Sequence, residues 1–484
     1  MNIQLREKPK RQQDNIEERF SLIGLRCALS EHSNLKRKRG FKPFKHMHMK
    51  KEESHGKVIQ NAAWIIGTQI IKALLGVAIS MFTARYLGPT NYGLINYAAS
   101  IVAFAAPIMY LGLNNTLVQE IVAAPHREGE ILGTAISMSF SSSILCIAGI
   151  AAFVSLANTG EKETLAVCLL YSILLIFQSA DLINYWFQAK LLSKYSSTVS
   201  LCAYLAISCY KAFLLITGKS IYWFALSNAV DYFLISGILF LIYHKVGTQR
   251  LSFSFCTAKL MLKKSKYYIV SNLMIVIYAQ TDRIMLKLMI GDAETGYYSA
   301  AVYCAGMASF VFSAIIDSVR PVALAHKSEN EAEFESDIIS LYSVIIYLAI
   351  LYSIAVSVLS PLVILLLYGK EYSAAIPVLQ IIVWYCTASY LGGARDVWIL
   401  ARSLQKHLLL INMLGAGMNI VLNVFLIPLW GASGAAIASV ITQYTINIVF
   451  TSVYKPTRRT GYLMLKGCNP KTIYRIVKSI KRGK

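Results

Sequence analysis

The chain has 484 residues, 56% of them hydrophobic and 15% charged, with a formal net charge of +22. Soluble proteins usually carry about a quarter charged residues, so this composition excludes an ordinary soluble domain. The basic excess sits in two tails that flank apolar segments, the pattern of a membrane face rather than of a nucleic-acid binder.

Residues 1–57 hold fifteen Lys/Arg against seven Asp/Glu. The first 46 lack a periodic apolar pattern, so residues 1–56 read as a basic, disordered cytoplasmic extension, with Met47 or Met49 as a natural start. The first apolar span begins near Val58 and is too long for a cleavable signal. A membrane crossing needs about 20 apolar residues. Spans are expected at 58–86, 92–115, 132–157, 164–188, 196–217 and 221–244, making an N-terminal lobe over 57–244. A basic linker follows at 245–265. Six more spans, at 266–290, 296–325, 339–368, 374–400, 407–429 and 432–454, make a C-terminal lobe over 266–454. Residues 455–484 hold ten Lys/Arg and no acid. In that tail Ile473, Ile476, Val477 and Ile480 recur at helical spacing, which predicts a basic amphipathic helix over 470–484.

With the N-terminus on the cytoplasmic side, 37 Lys/Arg fall inside and five fall outside, namely Arg85, Lys162, Lys219, Lys287 and Lys370. Both termini are therefore expected in the cytoplasm, with the chain in a cell (inner or plasma) membrane. The halves echo each other: Gly88-Pro-Thr-Asn-Tyr-Gly93 and Gly291-Asp-Ala-Glu-Thr-Gly296 are offset by 203 residues, each after the first span of its half. Six spans per half give both halves the same orientation, a parallel repeat. The expected fold is an all-α polytopic membrane protein of about twelve transmembrane helices, in two six-helix lobes around a central cavity.

Ionisable groups inside spans are costly and usually face a polar cavity or a partner. Asn61, Thr68, Lys72, Gly76, Ser80 and Thr83 form one polar stripe on the first span, with Lys72 near its centre. Ser200, Tyr204, Ser208 and Lys211 repeat the pattern on the fifth. Gln280, Arg283 and Lys287 share a face of the seventh, beside Asp282. Ser309, Ser313, Asp317 and Arg320 line the eighth. Asp181, Asp231 and the pair Arg395-Asp396, expected to point to different faces, complete the set. A cavity with these cations suits an anionic group such as a phosphate or pyrophosphate, which arginine grips with a planar fork and lysine as a point charge. Lys72, Lys211, Arg283, Lys287 and Arg320 are the candidate substrate cations. Asp282, Asp317 and Asp231 are the candidate carriers of a coupling proton or sodium ion. Nine cysteines, from Cys27 to Cys468, show no metal spacing, so no metal and no cofactor are expected.

Four stretches carry a family likeness: ARYLGPTNYGLINYAAS (84–100), QTDRIMLKLMIGDAETGYYSAA (280–301), LLYGKEYSAAIPVLQI (366–381) and LNVFLIPLWGASGAAIAS (422–439). Through them the chain resembles the oligosaccharide flippase (polysaccharide transporter) family of the multidrug/oligosaccharidyl-lipid/polysaccharide exporter superfamily. The resemblance implies a MATE-like fold with a V-shaped cavity, alternating access, and export of an undecaprenyl-diphosphate-linked O-antigen, capsule or similar repeat unit. It also implies a role for Asp282, which lies in the family's span-seven Asp motif, and makes polysaccharide assembly proteins and membrane lipids the expected partners. The alternatives are a cation-coupled multidrug exporter of the same superfamily and, from another class, a polysaccharide polymerase or ligase. The second is disfavoured: outer loops stay under roughly ten residues, and no nucleotide loop or nucleophile elbow occurs.

Overall fold

The computed structural model describes residues 51–247 and 249–474, with side chains from residue 67 onward except at 69, 70, 73, 74, 328 and 329. The expected extension up to residue 50, the starts at Met47 and Met49, the Asn61 side chain and residues 475–484 of the expected tail helix lie outside the described residues.

The described residues are helical and contain no strand. Helix α1, Lys51–Met109, folds back at Gly88, whose φ of 70° is a left-handed conformation that glycine adopts without the Cβ clash. Its two arms are the first two spans. A short α2, Leu117–Ala123, leads into α3, Glu128–Ala157. The fourth span is broken into α4 (Lys162–Ser172), α5 (Leu174–Ala180) and α6 (Ile183–Ala189). Then come α7 (Ser193–Ile216) and α8 (Ile221–Val246). The second half runs α9 (Phe255–Met289), α10 (Asp292–Ala305) with α11 (Ser309–Glu329), α12 (Glu331–Leu367) and α13 (Ala375–Ala401). Helix α14, Gln405–Tyr444, folds at Gly431 and continues through a π-helical turn, Thr445–Phe450, into α15, Thr451–Val453. Ten of these runs are long and apolar enough to cross a membrane. Two of the ten are folded, at Gly88 and Gly431, which brings the crossings to twelve. The outside is apolar: Leu145 is 73% exposed, Ile216 86% and Val358 73%. Such surface belongs in hydrocarbon, and the chain is a multi-pass membrane protein.

Three pairs of left-handed glycines mark equivalent turns in the two halves: Gly88 with Gly291, Gly160 with Gly369, and Gly218 with Gly431. All six lie at one end of the bundle, the turn end; the linker and the start of α1 lie at the other, the linker end. At the turn end the repeat motifs meet crosswise. A Cβ on Gly93 would stand 1.8 Å from the Asp292 carbonyl oxygen, and one on Gly296 would stand 2.1 Å from the Pro89 carbonyl oxygen. Both contacts obey the 203-residue offset, so the halves touch through matching backbone.

A clasp follows the same crossed rule. Arg85, closing the first span, donates to the Leu366 carbonyl at the end of the ninth (2.5 Å). Lys287, closing the seventh, donates to Glu161 just past the third (2.7 Å) and to Asp292 in its own half (2.6 Å). The Lys287 ammonium holds the Glu161 carboxyl below the usual carboxylate range.

An amphipathic helix absent from the sequence expectation, α16 (Arg458–Gly467), precedes the tail. It buries Leu463 and Met464, and Gly467 lets it lie on Tyr342 of α12. Arg459 grips Glu335 with two hydrogen bonds of 2.7 and 2.5 Å. The glycines in RRTGYLMLKG hid it, because they lower helix propensity while serving close packing.

Gly93→Ala is expected to destabilise the detergent-solubilised protein by about 1–3 kcal/mol, because the new methyl has no space against Asp292. Gly417→Ala, which meets nothing within 4 Å, leaves the melting temperature unchanged. Equal melting temperatures for the two variants would contradict the close backbone approach.

Candidate functional site

The polar stripe of the first span faces inward. Lys72 Nζ donates to Ser200 Oγ of α7 and lies 5.5 Å from the centre of the Tyr204 ring. One turn on, Gly76 leaves room for two tyrosines from opposite halves. A Cβ there would be 2.8 Å from the Tyr204 hydroxyl and 3.1 Å from that of Tyr303 on α10. Ser80 follows, 2.9 Å from the Tyr92 hydroxyl of the second arm. Thr68 is buried, and Thr83 keeps a buried hydroxyl oxygen without a hydrogen-bond partner.

Beside this stripe is a cavity of about 620 Å³ whose polar lining comes from both halves: Asn114, Gln178, Asn228, Asp231 and Asn272. Lys211 Nζ donates to Asn228 Oδ1 at 3.1 Å. Asp231 is the charge shared by Lys72 and Lys211, and Asp181 also acts on Lys72. Asp231 Oδ1 and Gln178 Oε1 are buried and carry no hydrogen bond. Asp181 sits where the fourth span breaks between α5 and α6, and accepts from Asn184 (2.6 Å).

Arg283 stands at the junction of the halves. It donates to Gln280 Oε1 (2.6 Å) and Ser299 Oγ (3.2 Å), and the same Gln280 oxygen accepts from Ser100 of the second arm (3.0 Å). Lys72, Lys211 and Arg283 are thus all held by neutral hydrogen-bond partners that an anion can replace. The other two candidate cations are bound differently. Lys287 is buried in the clasp between Glu161 and Asp292, and Arg320 faces Asp317 one turn away at 3.2 Å, both exposed. Arg395 and Asp396 do not point apart: the guanidinium folds onto its neighbour's carboxylate (2.9 Å) and also holds Asn447 (3.0 Å) and Thr451 (3.2 Å) around the π-helical turn. A flexible arginine side chain reaches across a rotation of about 100° per residue, which a face-by-face reading of the helix ignores.

Asp282 has a cage of its own. It is 4% exposed and accepts hydrogen bonds from Asn423 (2.6 Å), Ser439 (2.5 Å) and Tyr298. Asn423 also donates to Asn419 (3.1 Å), and the Asn423 side-chain oxygen is buried without a partner. A cavity of about 240 Å³ lies against Asp282, Arg283, Tyr298 and Ser439. The three donors satisfy the carboxylate, and the Asn423 amide oxygen beside it is the acceptor left open to a hard cation or a proton donor. Sequence reasoning missed Asn419, Asn423, Ser439 and Tyr298. The only signal was the four-residue spacing of two asparagines in an apolar span. The eighth span breaks beside this cavity, between α10 and α11, and its freed carbonyls at Cys304 and Ala305 accept from Tyr352 (3.2 and 3.0 Å).

The polysaccharide biosynthesis protein family model matches residues 58–325, more than half of the chain. The probable low-salt glycan biosynthesis flippase Agl15 of Haloferax volcanii is 24% identical over 390 residues, covering 77% of this chain and 78% of that protein. Among solved structures, the lipid II flippase MurJ in an inward closed conformation superposes with a TM-score of 0.66 at 14% identity, over 83% of this chain and 90% of that one. A multidrug resistance MATE family transporter of the MOP superfamily, inward-facing, gives 0.61 at 14% identity, over 82% and 96%. These likenesses establish a two-lobe transporter fold.

Asn423→Leu removes a donor from a buried carboxylate. It is expected to lower stability by about 1.5–3 kcal/mol in thermal unfolding, the usual worth of a hydrogen bond to a charged group. An unchanged unfolding curve would mean that Asp282 does not need the cage.

Proposed function

The chain belongs to the polysaccharide biosynthesis protein family, and on that premise we propose that it is a flippase of the MOP superfamily that carries a lipid-diphosphate-linked oligosaccharide across the cytoplasmic membrane by alternating access. The observation that carries the reading is the set of three interior cations, Lys72, Lys211 and Arg283, held only by hydroxyl and amide partners. Holding a cation in the membrane interior costs several kcal/mol of desolvation, and such residues are by default functional. A diphosphate entering the chamber exchanges those neutral partners for charge-assisted bonds. The asparagines, glutamine and tyrosines around it match sugar hydroxyls, and the lipid tail stays in the bilayer. The role is transport, not catalysis, in keeping with relatives named as flippases and transporters.

The remaining charges take other parts in this scheme. Both chain ends and the linker lie in the cytoplasm, with the lysine- and arginine-rich end inward. The turn end is then the outer gate, and the Lys287–Glu161–Asp292 clasp holds it shut. Asp231 balances Lys72 and Lys211 while the chamber is empty. The Asp282 cage takes the coupling ion, a proton or sodium. Arg320 and Asp317, near the linker end of α11, meet the substrate on entry.

Lys72→Ala is expected to abolish translocation of a fluorescent lipid-diphosphate oligosaccharide in reconstituted vesicles at normal abundance, with Lys72→Arg keeping a measurable part. Full translocation by Lys72→Ala removes the residue from the mechanism. Uptake of cationic dyes without any lipid-diphosphate transport would replace the reading with a drug exporter.

Lys287→Gln weakens the clasp. Spin labels at positions 162 and 370 should then show a larger population of long distances than in the parent protein. An unchanged distance distribution would remove the clasp from gating.

A further inference from the structure

The seam between the halves also has a dry side. The second arm of α1 and helix α9 form the floor of an apolar groove of about 910 Å³, with α3 and α14 as its flanks. Phe104, Ile108, Leu145, Phe153, Leu273 and Ile284 line it. The opposite faces of the same two floor helices, through Ala103 and Asn272, line the polar chamber. The Ser100–Gln280 hydrogen bond ties these two helices together, and no residue lines both spaces. An occupant of the groove therefore comes from the bilayer and not from the chamber.

The chemistry at the linker end of the groove identifies that occupant. Leu273, Thr281 and Ile284 give the groove face of α9. Stepping back along that face by three or four residues reaches Val270, Lys266, Lys263 and, after another turn, Lys259. Lys266 is seven residues from Leu273, about 10 Å along the axis, which is the spacing from a membrane interface to the upper part of an acyl chain. Lys259 and Lys266 are exposed, the latter with its ammonium 4.9 Å from the centre of the Tyr267 ring, whereas Lys264, on the opposite side of the helix, is committed to Glu120 at 2.6 Å. Asp282 is the one acid in α9, and it is buried in its cage. The two acids at the start of α3 are already taken, Glu130 by Arg127 and Glu128 by Lys190. Exposed rings gather at the same level: Tyr267 is 73% exposed, and Phe253 and Phe255 pack edge to face at 4.9 Å. Cations and interfacial aromatics below an apolar slot reproduce the layout of a phospholipid, phosphate at the interface and chain above it.

We propose that this groove is a binding site for an anionic phospholipid, with one acyl chain between α3 and α14 and its phosphate on Lys266 and Lys259. The site is separate from the chamber and does not depend on what the chamber carries. The bound lipid rests on the two helices that form the seam, so it braces the seam in its closed arrangement.

The test is lipid binding by the purified full chain, read by native mass spectrometry with phosphatidylglycerol or phosphatidylcholine and no glycolipid present. The parent protein is expected to retain phosphatidylglycerol about thirtyfold better, as two lysines facing a net negative headgroup imply. The double variant Lys259→Gln/Lys266→Gln should bind the two lipids equally. Gly149→Phe, whose ring enters the groove from a position with nothing within 4 Å, should lose both. Dihexanoyl phosphatidylglycerol, too short to fill the slot, should bind the parent protein at least about tenfold more weakly than the long-chain lipid. Persistent phosphatidylglycerol preference in the lysine variant overturns the headgroup site. Undiminished binding of the short-chain lipid, or of the long-chain lipid to Gly149→Phe, overturns the groove.

Discussion

An ionised group inside a bilayer must be given a partner, and the kind of partner it receives separates the charges of this chain into classes. Lys287 is surrounded by two carboxylates and ties the halves together. Arg395 is consumed by Asp396, Asn447 and Thr451 and stiffens the second half around a π-helical turn. Lys72, Lys211 and Arg283 hydrogen-bond only to hydroxyls and amides. Neutral partners satisfy the hydrogen-bonding capacity of an ammonium or guanidinium without cancelling its charge, so the field of these groups remains available to an anion.

The second constraint is that two halves must touch closely without fusing. The crossed glycine contacts achieve this with backbone alone: Gly93 against Asp292 and Gly296 against Pro89 bring chains to a separation that any side chain would prevent. Small residues let membrane helices gain dispersion energy at short range. Both contacts derive from one repeated motif, so each half presents the other with the same surface. The ionic clasp beside them adds a geometric condition, since Lys287 reaches Glu161 only when the ends of the third and seventh spans are adjacent.

Much of this was legible from residue order. The glycine echo at an offset of 203 is visible in the sequence, and it corresponds to the contacts that join the halves. The polar stripe of the first span also reads correctly from Thr68 to Thr83, because helical spacing alone decides which residues share a face. What spacing cannot supply is the partner. Lys287 looks like a cavity cation until Glu161, 126 positions away, is placed beside it. Asn419 and Asn423 look like tolerated polar residues until Asp282 lies between them and Ser439. Arg395 and Asp396 mislead for the opposite reason: the helix wheel fixes where a side chain starts, and a long guanidinium arm does not end there.

The charge balance of the chamber gives the last step. Asp231 is near both Lys72 and Lys211, and one of its oxygens is buried with no hydrogen bond. An acid beside two cations looks ill suited to anion binding. Without it, however, two like charges would share a low-dielectric space, and the empty chamber would be destabilised by their repulsion. With it, the lysines tolerate the empty state, yet neither lysine is hydrogen-bonded to the carboxylate. In the proposed cycle an entering diphosphate has to compete with that carboxylate for the same two ammonium groups. Asp231 therefore serves the empty carrier, by offsetting the two lysines without tying either of them up in a hydrogen bond.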